Sequence, residues 1–339
     1  MAEPLKNMFT LATVSEIGET LPVDSKQFTR DCEPGFEELG LMDRARHVAT
    51  VMQRHLDPDP GTAIEQLNGA IGTEPRGFFY NPHSFFIQEY GLPAYEQSIA
   101  AMHRLTQVFT AEFCIRPFIV EHPRTMDQLR EWTADPSEHV RRLVSEGTRP
   151  RLPWATQLPH FRKDPEPVIA LLDLLKDDPS EYVRRSVGNN LNDISKDHPR
   201  RAIEVATAWM PRPIVRRGLR TLIKAGDPDA LAVLGYVAGA ATARADLPDT
   251  LKIGQRLRLE VEVHSQTPVM VDIVVEFVRP RGVGRKVFRG AELPGSGTVR
   301  RTISFEQLST RKVYPGLHRI AVLMNGVEVE LGVVNIRHD

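Results

Sequence analysis

The sequence predicts a mainly α chain, a solenoid of stacked helix pairs, followed by a smaller all-β sandwich. Three observations predict this. First, Asp135–Glu146 reads "DPSEHVRRLVSE", and Asp178–Gly188, 43 residues later, reads "DPSEYVRRSVG". This is an internal repeat at a period typical of helical arrays. Second, the segments around and between the copies space their apolar residues at i, i+3 and i+4. Third, beyond Ala243 the spacing changes to apolar–polar alternation rich in β-branched residues, which is strand grammar.

Ahead of the repeat, "MDRARHVATVMQRHL" (Met42–Leu56), "GTAIEQLNGAI" (Gly61–Ile71) and "AYEQSIAAMHRLTQVFTAEFCIRPFIVEH" (Ala94–His122) have helical spacing, punctuated by Pro93 and Pro117. The aromatic stretch "GFFYNPHSFFIQEYGL" (Gly77–Leu92) is expected to pack between helices. In the repeat, Pro136 and Pro179 mark helix starts, and Ser137 and Ser180 supply N-terminal capping chemistry. Val140, Leu143 and Val144 form a buried stripe, as do Val183 and Val187. A degenerate third copy is "RPIVRRGLRTL" (Arg212–Leu222). The intervening helices are "PEPVIALLDLLKD" (Pro165–Asp177) and "PRRAIEVATAWM" (Pro199–Met210). A two-helix unit of this length is the mark of HEAT-like repeats, which stack into an array with a concave face. The Arg-Arg pair then recurs once per repeat on one side of it.

Residues 1–243 are therefore assigned to a HEAT-like helical domain, 244–250 to a linker and 251–339 to an Ig-like β-sandwich. The strands are expected within Gln255–Ser265, Met270–Arg279, Arg285–Leu293, Thr298–Leu308, Gly316–Gly326 and Val327–Arg337, with Asn325-Gly326 as a hairpin turn.

Charge is divided along the chain. Residues 1–138 carry 11 basic and 21 acidic side chains, residues 139–225 carry 17 and 10, and residues 250–339 carry 14 and 9. The excess in the middle and end points to a polyanionic partner. The two cysteines, Cys32 and Cys114, give no disulfide framework and suit a reducing compartment. The opening "MAEPLKNMFTLATV" lacks a signal-peptide core, and "LAVLGYVAGAA" (Leu231–Ala241) is too short to span a bilayer and fits a buried helix. A cytoplasmic protein with no membrane partner is expected. No phosphate-binding glycine loop, dinucleotide fingerprint or metal-ligand spacing is written in the chain. "STRK" (Ser309–Lys312) has serine–lysine spacing but falls in the β region. No cofactor or metal is expected.

Several residues ask for an explanation. Glu112 sits at an apolar helix end, with Arg116 four residues on. That spacing suits either an ordinary surface ion pair or a placed carboxylate. Trp154 ends the Pro-rich connection "GTRPRLPW" (Gly147–Trp154), where it either packs or stacks on a base. Asp193 lies in "GNNLNDIS" (Gly188–Ser195), a run of poor helix formers that reads as a capped helix end or a functional cluster. The turn "RPRGVGRKVFRG" (Arg279–Gly290), with Arg285 and Lys286, reads as a solvated hairpin or a groove-reaching loop.

The motifs "EFCIRPFI" (Glu112–Ile119), "EHVRRLVSEGTRPRLPW" (Glu138–Trp154) and "EYVRRSVGNNLNDISKDHP" (Glu181–Pro199), in this order, resemble the AlkC branch of the AlkC/AlkD alkylpurine DNA glycosylases. The resemblance covers the whole chain and includes, for one subgroup, a C-terminal Ig-like domain. It implies excision of N3-alkylated bases, chiefly 3-methyladenine with 3-methylcytosine as a second substrate, from double-stranded DNA. It implies Glu112 and Asp193 as catalytic carboxylates and Trp154 as the lesion-contacting aromatic. Arg141, Arg142, Arg149, Arg151, Arg184 and Arg185 would hold backbone phosphates, and which of each pair faces the DNA is left open. One array on one duplex needs only a monomer. The alternatives are a helical-repeat scaffold for an acidic protein and a nucleic-acid binder without catalysis.

Overall fold

The computed structural model describes residues 5–308 and 311–338. It divides into two compact units, Met1–His198 and Pro199–Asp339. Ser309, the first residue of the serine–lysine spacing, lies outside the described residues.

The first unit is helical. Its early helices are α1 (Leu11–Thr20), α2 (Ser25–Cys32), α3 (Leu41–His55), α4 (Pro60–Ala70), α5 (Asn81–Tyr90) and α6 (Tyr95–Val108). There follow α7 (Ile115–Glu121), α8 (Thr125–Trp132), α9 (Glu138–Gly147), α10 (Pro159–Lys163), α11 (Glu166–Leu175) and α12 (Glu181–Ile194). The aromatic stretch becomes a 3-10 turn running into α5, and Phe79, Tyr80, Phe85 and Phe86 are buried, as expected of core packing.

One long helical reading is corrected. The expected helix over residues 94–122 breaks after Val108, where Phe109 takes a non-helical conformation (φ −146°, ψ −117°). The chain resumes helix only at Ile115, so Glu112 stands in an irregular bend and not on a helix.

The repeat builds α9 and α12, whose apolar stripes Val140, Leu143, Val144 and Val183, Val187 are fully buried. Their capping differs from the serine chemistry expected. Neither Ser137 nor Ser180 caps through its side chain. The work falls to the aspartates two residues earlier. Asp135 Oδ1 accepts from the Ser137 amide and Asp178 Oδ1 from the Ser180 amide, each at 2.8 Å. An Asx turn of this kind sets the entry of the chain, and the proline between the two residues fixes it.

The second unit begins with α13 (Pro199–Ala208), α14 (Ile214–Gly218), α15 (Arg220–Ala225) and α16 (Pro228–Val233). The degenerate third copy is split between α14 and α15. The apolar run expected as a buried helix is helical only as far as Val233, and its last residue already belongs to a strand.

Eight strands follow: β1 (Ala241–Arg244), β2 (Thr250–Lys252), β3 (Arg256–Ser265), β4 (Val269–Val278), β5 (Val283–Leu293), β6 (Gly297–Ser304), β7 (Gly316–Met324) and β8 (Val327–Arg337). They form a three-stranded sheet, β1-β3-β6, and a five-stranded sheet, β2-β8-β7-β4-β5, an Ig-like sandwich. Inward residues of both sheets, among them Leu257, Val261, Ile273, Phe277, Val322 and Ile336, share one core.

The segment read as a linker thus starts and ends on strands. Ala241–Arg244 pairs antiparallel with β3, and Thr250–Lys252 pairs parallel with β8. Four and three residues are too few for their alternation to stand out in the sequence. Asn325 and Gly326 both have positive φ (46° and 83°) and turn β7 into β8.

Candidate active site and nucleic-acid interface

The bend before α7, the helix α9, the loop after it and the helix α12 bring one set of charged side chains together. Gly147 makes the approach possible. A Cβ there would stand 2.7 Å from Ile115 Cγ2, so any larger residue would push the end of α9 away from the bend that holds Glu112.

Glu112 is 8% exposed. Its Oε2 accepts from Arg142 Nη1 at 3.0 Å, and the same nitrogen reaches Thr110 Oγ1 at 3.3 Å. Arg142 Nη2 lies 3.7 Å from Glu146 Oε1. Glu146 in turn accepts from Arg149 Nη1, and from Ser186 Oγ at 2.6 Å. Arg149 Nε donates to Asp193 Oδ2 at 2.8 Å, and Lys196 Nζ donates to Asp193 Oδ1 at 2.8 Å. Acid and base alternate in an unbroken chain, Glu112–Arg142–Glu146–Arg149–Asp193–Lys196, running from the bend across α9 to α12. Buried charge is tolerated when it is paired in this way.

The two expected catalytic carboxylates are therefore joined by the chain, but they differ in setting. Asp193 is fully buried with both oxygens engaged, while Glu112 keeps some surface. Burial pushes the Glu112 carboxyl above the ordinary glutamate value, and the Arg142 guanidinium opposes that push. Burial works against the charge of Arg142, but its two carboxylate neighbours outweigh it and hold its guanidinium above the usual value.

Arg116 is not the i+4 partner of Glu112. It is buried, and its Nε donates to Thr156 O at 2.8 Å while Nη1 donates to Gly147 O and Arg149 O at 2.8 and 2.9 Å. It clamps both ends of the loop that carries Trp154. That tryptophan is 90% exposed and has a positive φ of 65°. A bulky side chain on a left-handed backbone is uncommon and persists where the surroundings impose it.

The doubled arginines divide their duties. Arg141 Nη1 donates to Asp135 O and Pro136 O at 2.8 and 3.0 Å, and Arg184 Nη1 makes the same pair of bonds to Asp178 O and Pro179 O. The first arginine of each copy thus folds back onto its own helix start. Arg141 also pairs with Asp178 of the next repeat, Nε to Oδ2 at 2.6 Å and Nη2 to Oδ1 at 3.0 Å. The second arginine faces outward or toward the site. Arg142 holds Glu112, and Arg185 is exposed beside Glu181 at 3.0 Å. The even row of guanidinium groups expected from the repeat is, at its first positions, a device for starting and stacking helices.

Arg151 grips Asp197 with two bonds of 2.8 and 2.6 Å, and Arg162 joins at 3.3 Å. The Arg151 bonds, then those of Arg162, hold the Asp197 carboxyl down to about 2. In the β-sandwich, Arg285 and Lys286 are exposed on β5. Arg285 pairs with Glu328 at 3.0 Å, and Lys286 lies 5.1 Å from the Phe288 ring centre.

Sequence reasoning missed three residues. Glu146 links the two halves of the chain, and its spacing from Arg142 (i+4) and Arg149 (i−3) on or beside one helix was a readable signal. Tyr182, 42% exposed, places its ring 5.3 Å from the Arg142 guanidinium and edge-to-face with His139. Its signal was the aromatic position of the repeat. Arg116 gave none beyond a cation in an apolar run.

Among the described residues, no group of three or more His, Cys, Asp or Glu is placed to hold a metal ion. No helix among them is long and apolar enough to cross a membrane.

Residues 85–222, which contain every member of the charged chain, match the family model described as "DNA alkylation repair enzyme". Across the full length, the chain superposes on the structure of a Pseudomonas fluorescens alkylpurine DNA glycosylase, AlkC, bound to DNA containing an abasic site analog. The TM-score is 0.85 at 32% identity, covering 99% of this chain and 100% of that one. The chain belongs to the AlkC branch of the DNA alkylation repair enzymes. Within this family it is also 38% identical over 307 residues to the uncharacterized protein YhaZ of Bacillus subtilis, covering 85% of each. Residues 241–338 match the C-terminal Ig-like domain model named for YhaZ. That span starts at the first residue of β1.

Proposed function

We propose that the chain is a DNA glycosylase that hydrolyses the N-glycosidic bond of N3-alkylated bases in double-stranded DNA, with 3-methyladenine as principal substrate and 3-methylcytosine as the second. A base alkylated at N3 carries a positive charge. When its bond to C1′ breaks, the electron pair stays with the base, which leaves neutral, and positive charge builds on the sugar. The leaving group needs no proton, so the demand on the protein is a negative charge beside the sugar and an oriented water. Glu112 meets that demand. Its carboxylate faces the oxocarbenium-like sugar and takes the proton of the water whose oxygen becomes the C1′ hydroxyl.

Arg142 keeps Glu112 ionised against the push of burial and reaches a flanking phosphate. Asp193 supports the reaction through Arg149, and it acts on the sugar directly only if DNA displaces one of its two cations. Trp154 offers its face to the cationic base. Arg149, Arg151, Arg185, Arg285 and Lys286 supply phosphate contacts, while Arg141 and Arg184 keep the helices that carry them in place. A monomer suffices for this work. The β-sandwich, from β1 at Ala241 onward, is assigned to DNA binding.

The observation that carries the reading is the Glu112 carboxylate, nearly buried, held by Arg142, and set within one helical unit that also presents a largely exposed tryptophan. The test is chromatography of bases released from methylated DNA by wild type and by Glu112→Gln. Release of 3-methyladenine by wild type and its loss in the variant support the reading. Tight binding of the same DNA without release sinks it and leaves a non-catalytic binder.

A further inference from the structure

Tyr182 stands at the aromatic position of the repeat, where the first copy has His139. The two rings meet edge to face, 5.8 Å between centres and 67° between planes. His139 on α9 thus braces Tyr182 on α12. Arg142 Cζ lies over the braced ring, 5.3 Å from its centre, which is within reach of a cation–π attraction. The nitrogens of Arg142 are directed elsewhere. Nη1 donates to Glu112 and Thr110, and Nη2 lies 3.7 Å from Glu146. Guanidinium donors lie in the plane of the group, and its faces cannot hydrogen-bond. An aromatic ring attracts a cation without a hydrogen bond, so Tyr182 adds a hold of a kind the carboxylates do not supply. The contact is not a feature of every repeat. The third copy has Ile214 at the aromatic position, and Arg185, the second arginine of the copy before it, is 57% exposed at its side chain against 17% for Arg142. The ring is present where the second arginine serves a carboxylate of the site.

We infer that Tyr182 is a positioning residue, which holds Arg142 on Glu112 while DNA is bound. The inference rests on the proposed glycosylase reading. The need for it comes from the phosphate. In that reading Arg142 keeps Glu112 ionised and also reaches the backbone, and a phosphate competes with Glu112 for the guanidinium. An arginine side chain has several rotatable bonds and is free to follow the stronger anion. A ring anchored on α12 and braced by His139 opposes that swing, because leaving Glu112 also means leaving the ring. The π face attracts the cation but carries no net charge, so it holds Arg142 without adding a rival carboxylate.

The test is single-turnover base release from methylated DNA at saturating full-length protein. Tyr182→Phe, Tyr182→Leu and Tyr182→Ala are compared with wild type, each alone and with Arg142→Gln. Tyr182 is 42% exposed and has little packing to lose, and melting curves check that the variants fold. Tyr182→Leu keeps apolar bulk without the π face. The rate is expected to fall about five- to thirty-fold in Tyr182→Leu and Tyr182→Ala, the worth of a partly desolvated cation–π contact, and to be kept in Tyr182→Phe. Affinity for undamaged duplex is expected to hold within about twofold, since the ring acts through Arg142 and not on DNA. Beside Arg142→Gln, the cost of losing the ring is expected to vanish. The Arg142 Nε–H, observed by NMR in arginine-labelled protein and assigned through Arg142→Gln, is expected to exchange with water faster in Tyr182→Leu. A Tyr182→Leu rate that matches wild type, or a loss undiminished beside Arg142→Gln, overturns the positioning role. So does a loss of duplex affinity without a loss of rate, which would give the ring a direct DNA contact instead. Absence of base release by wild type sinks the glycosylase reading on its own. Arg142 exchange then decides the rest: faster exchange in Tyr182→Leu keeps the hold of the ring on Arg142, and unchanged exchange removes it.

Discussion

Arg142 Nη1 lies 3.0 Å from Glu112 Oε2, and this contact sets the charge of the one candidate catalytic carboxylate that keeps some surface. Burial raises the Glu112 carboxyl above its ordinary value and Arg142 works against it. Activity that depends on ionised Glu112 therefore falls as pH drops through a value higher than that of a free glutamate. Single-turnover rates of base release across pH should show an acid limb above the ordinary carboxylate range. Arg142→Gln should move that limb to still higher pH. A limb that stays put in the variant would show that Arg142 does not tune Glu112.

Glu112→Gln should separate activity from stability. Removing a charge that stabilises the transition state costs on the order of 10²- to 10³-fold in rate. The effect on folding has the opposite sense. A carboxyl whose folded value is raised contributes stability below the unfolded value and loses it as pH rises through the folded one. Wild type and Glu112→Gln should melt together near pH 4, and the variant should be at least as stable at pH 8, where Arg142 still has Glu146 within 3.7 Å. Melting curves at the two pH values, beside the rate, check this. A variant that is inactive and clearly less stable at pH 8 would assign Glu112 to the fold.

The doubled arginines should respond unequally. Asp178 is buried and holds Arg141 of the preceding repeat. Removing one partner of a buried pair costs about 3–5 kcal/mol, so Asp178→Ala should lower stability by an amount of that order. Arg185 is exposed, as is its partner Glu181. Arg185→Ala should change stability by less than about 0.5 kcal/mol, because exposed pairs contribute little. If it contacts a phosphate, the slope of log K against log salt should fall by about 1 for any DNA sequence. Denaturant unfolding and salt-dependent binding measure both. Equal stability losses would mean that the two arginines share one role.

How far the site was legible follows from where its information lies. Helical period and the repeat placed α9 and α12, and period-two alternation placed the long strands, because those signals are local. Glu112, Trp154 and Asp193 stood out by residue type, each at odds with its surroundings. The bend at Phe109–Cys114 did not, since apolar spacing runs through it without a Gly or Pro until Pro117. The return of Arg141 and Arg184 to carbonyls behind them was hidden as well. A guanidinium looks the same in sequence whether it meets a phosphate or a helix start. The charged chain joins residues 30 to 44 positions apart, Glu112 to Arg142 and Arg149 to Asp193. Contacts at that range depend on how helices stack, and helix spacing alone does not contain it.

Trp154 gives the last prediction. Its φ of 65° is open to glycine and strained for residues with a Cβ, and its side chain, 90% exposed, has little packing to lose. In most settings alanine is the more stabilising of the two small residues. Here the order should reverse, with Trp154→Gly more stable than Trp154→Ala by about 1 kcal/mol, the usual cost of a left-handed non-glycine residue. Both variants should lose lesion preference alike, because both lack the ring. The two measurements are denaturant midpoints and the ratio of affinities for abasic-site and undamaged duplexes. If alanine proves the more stable, the loop relaxes once the ring is gone, and Arg116 is not holding that backbone. If glycine is more stable but the affinity ratio is unchanged, the exposed ring does not touch the lesion, and the strain at this position has some other use.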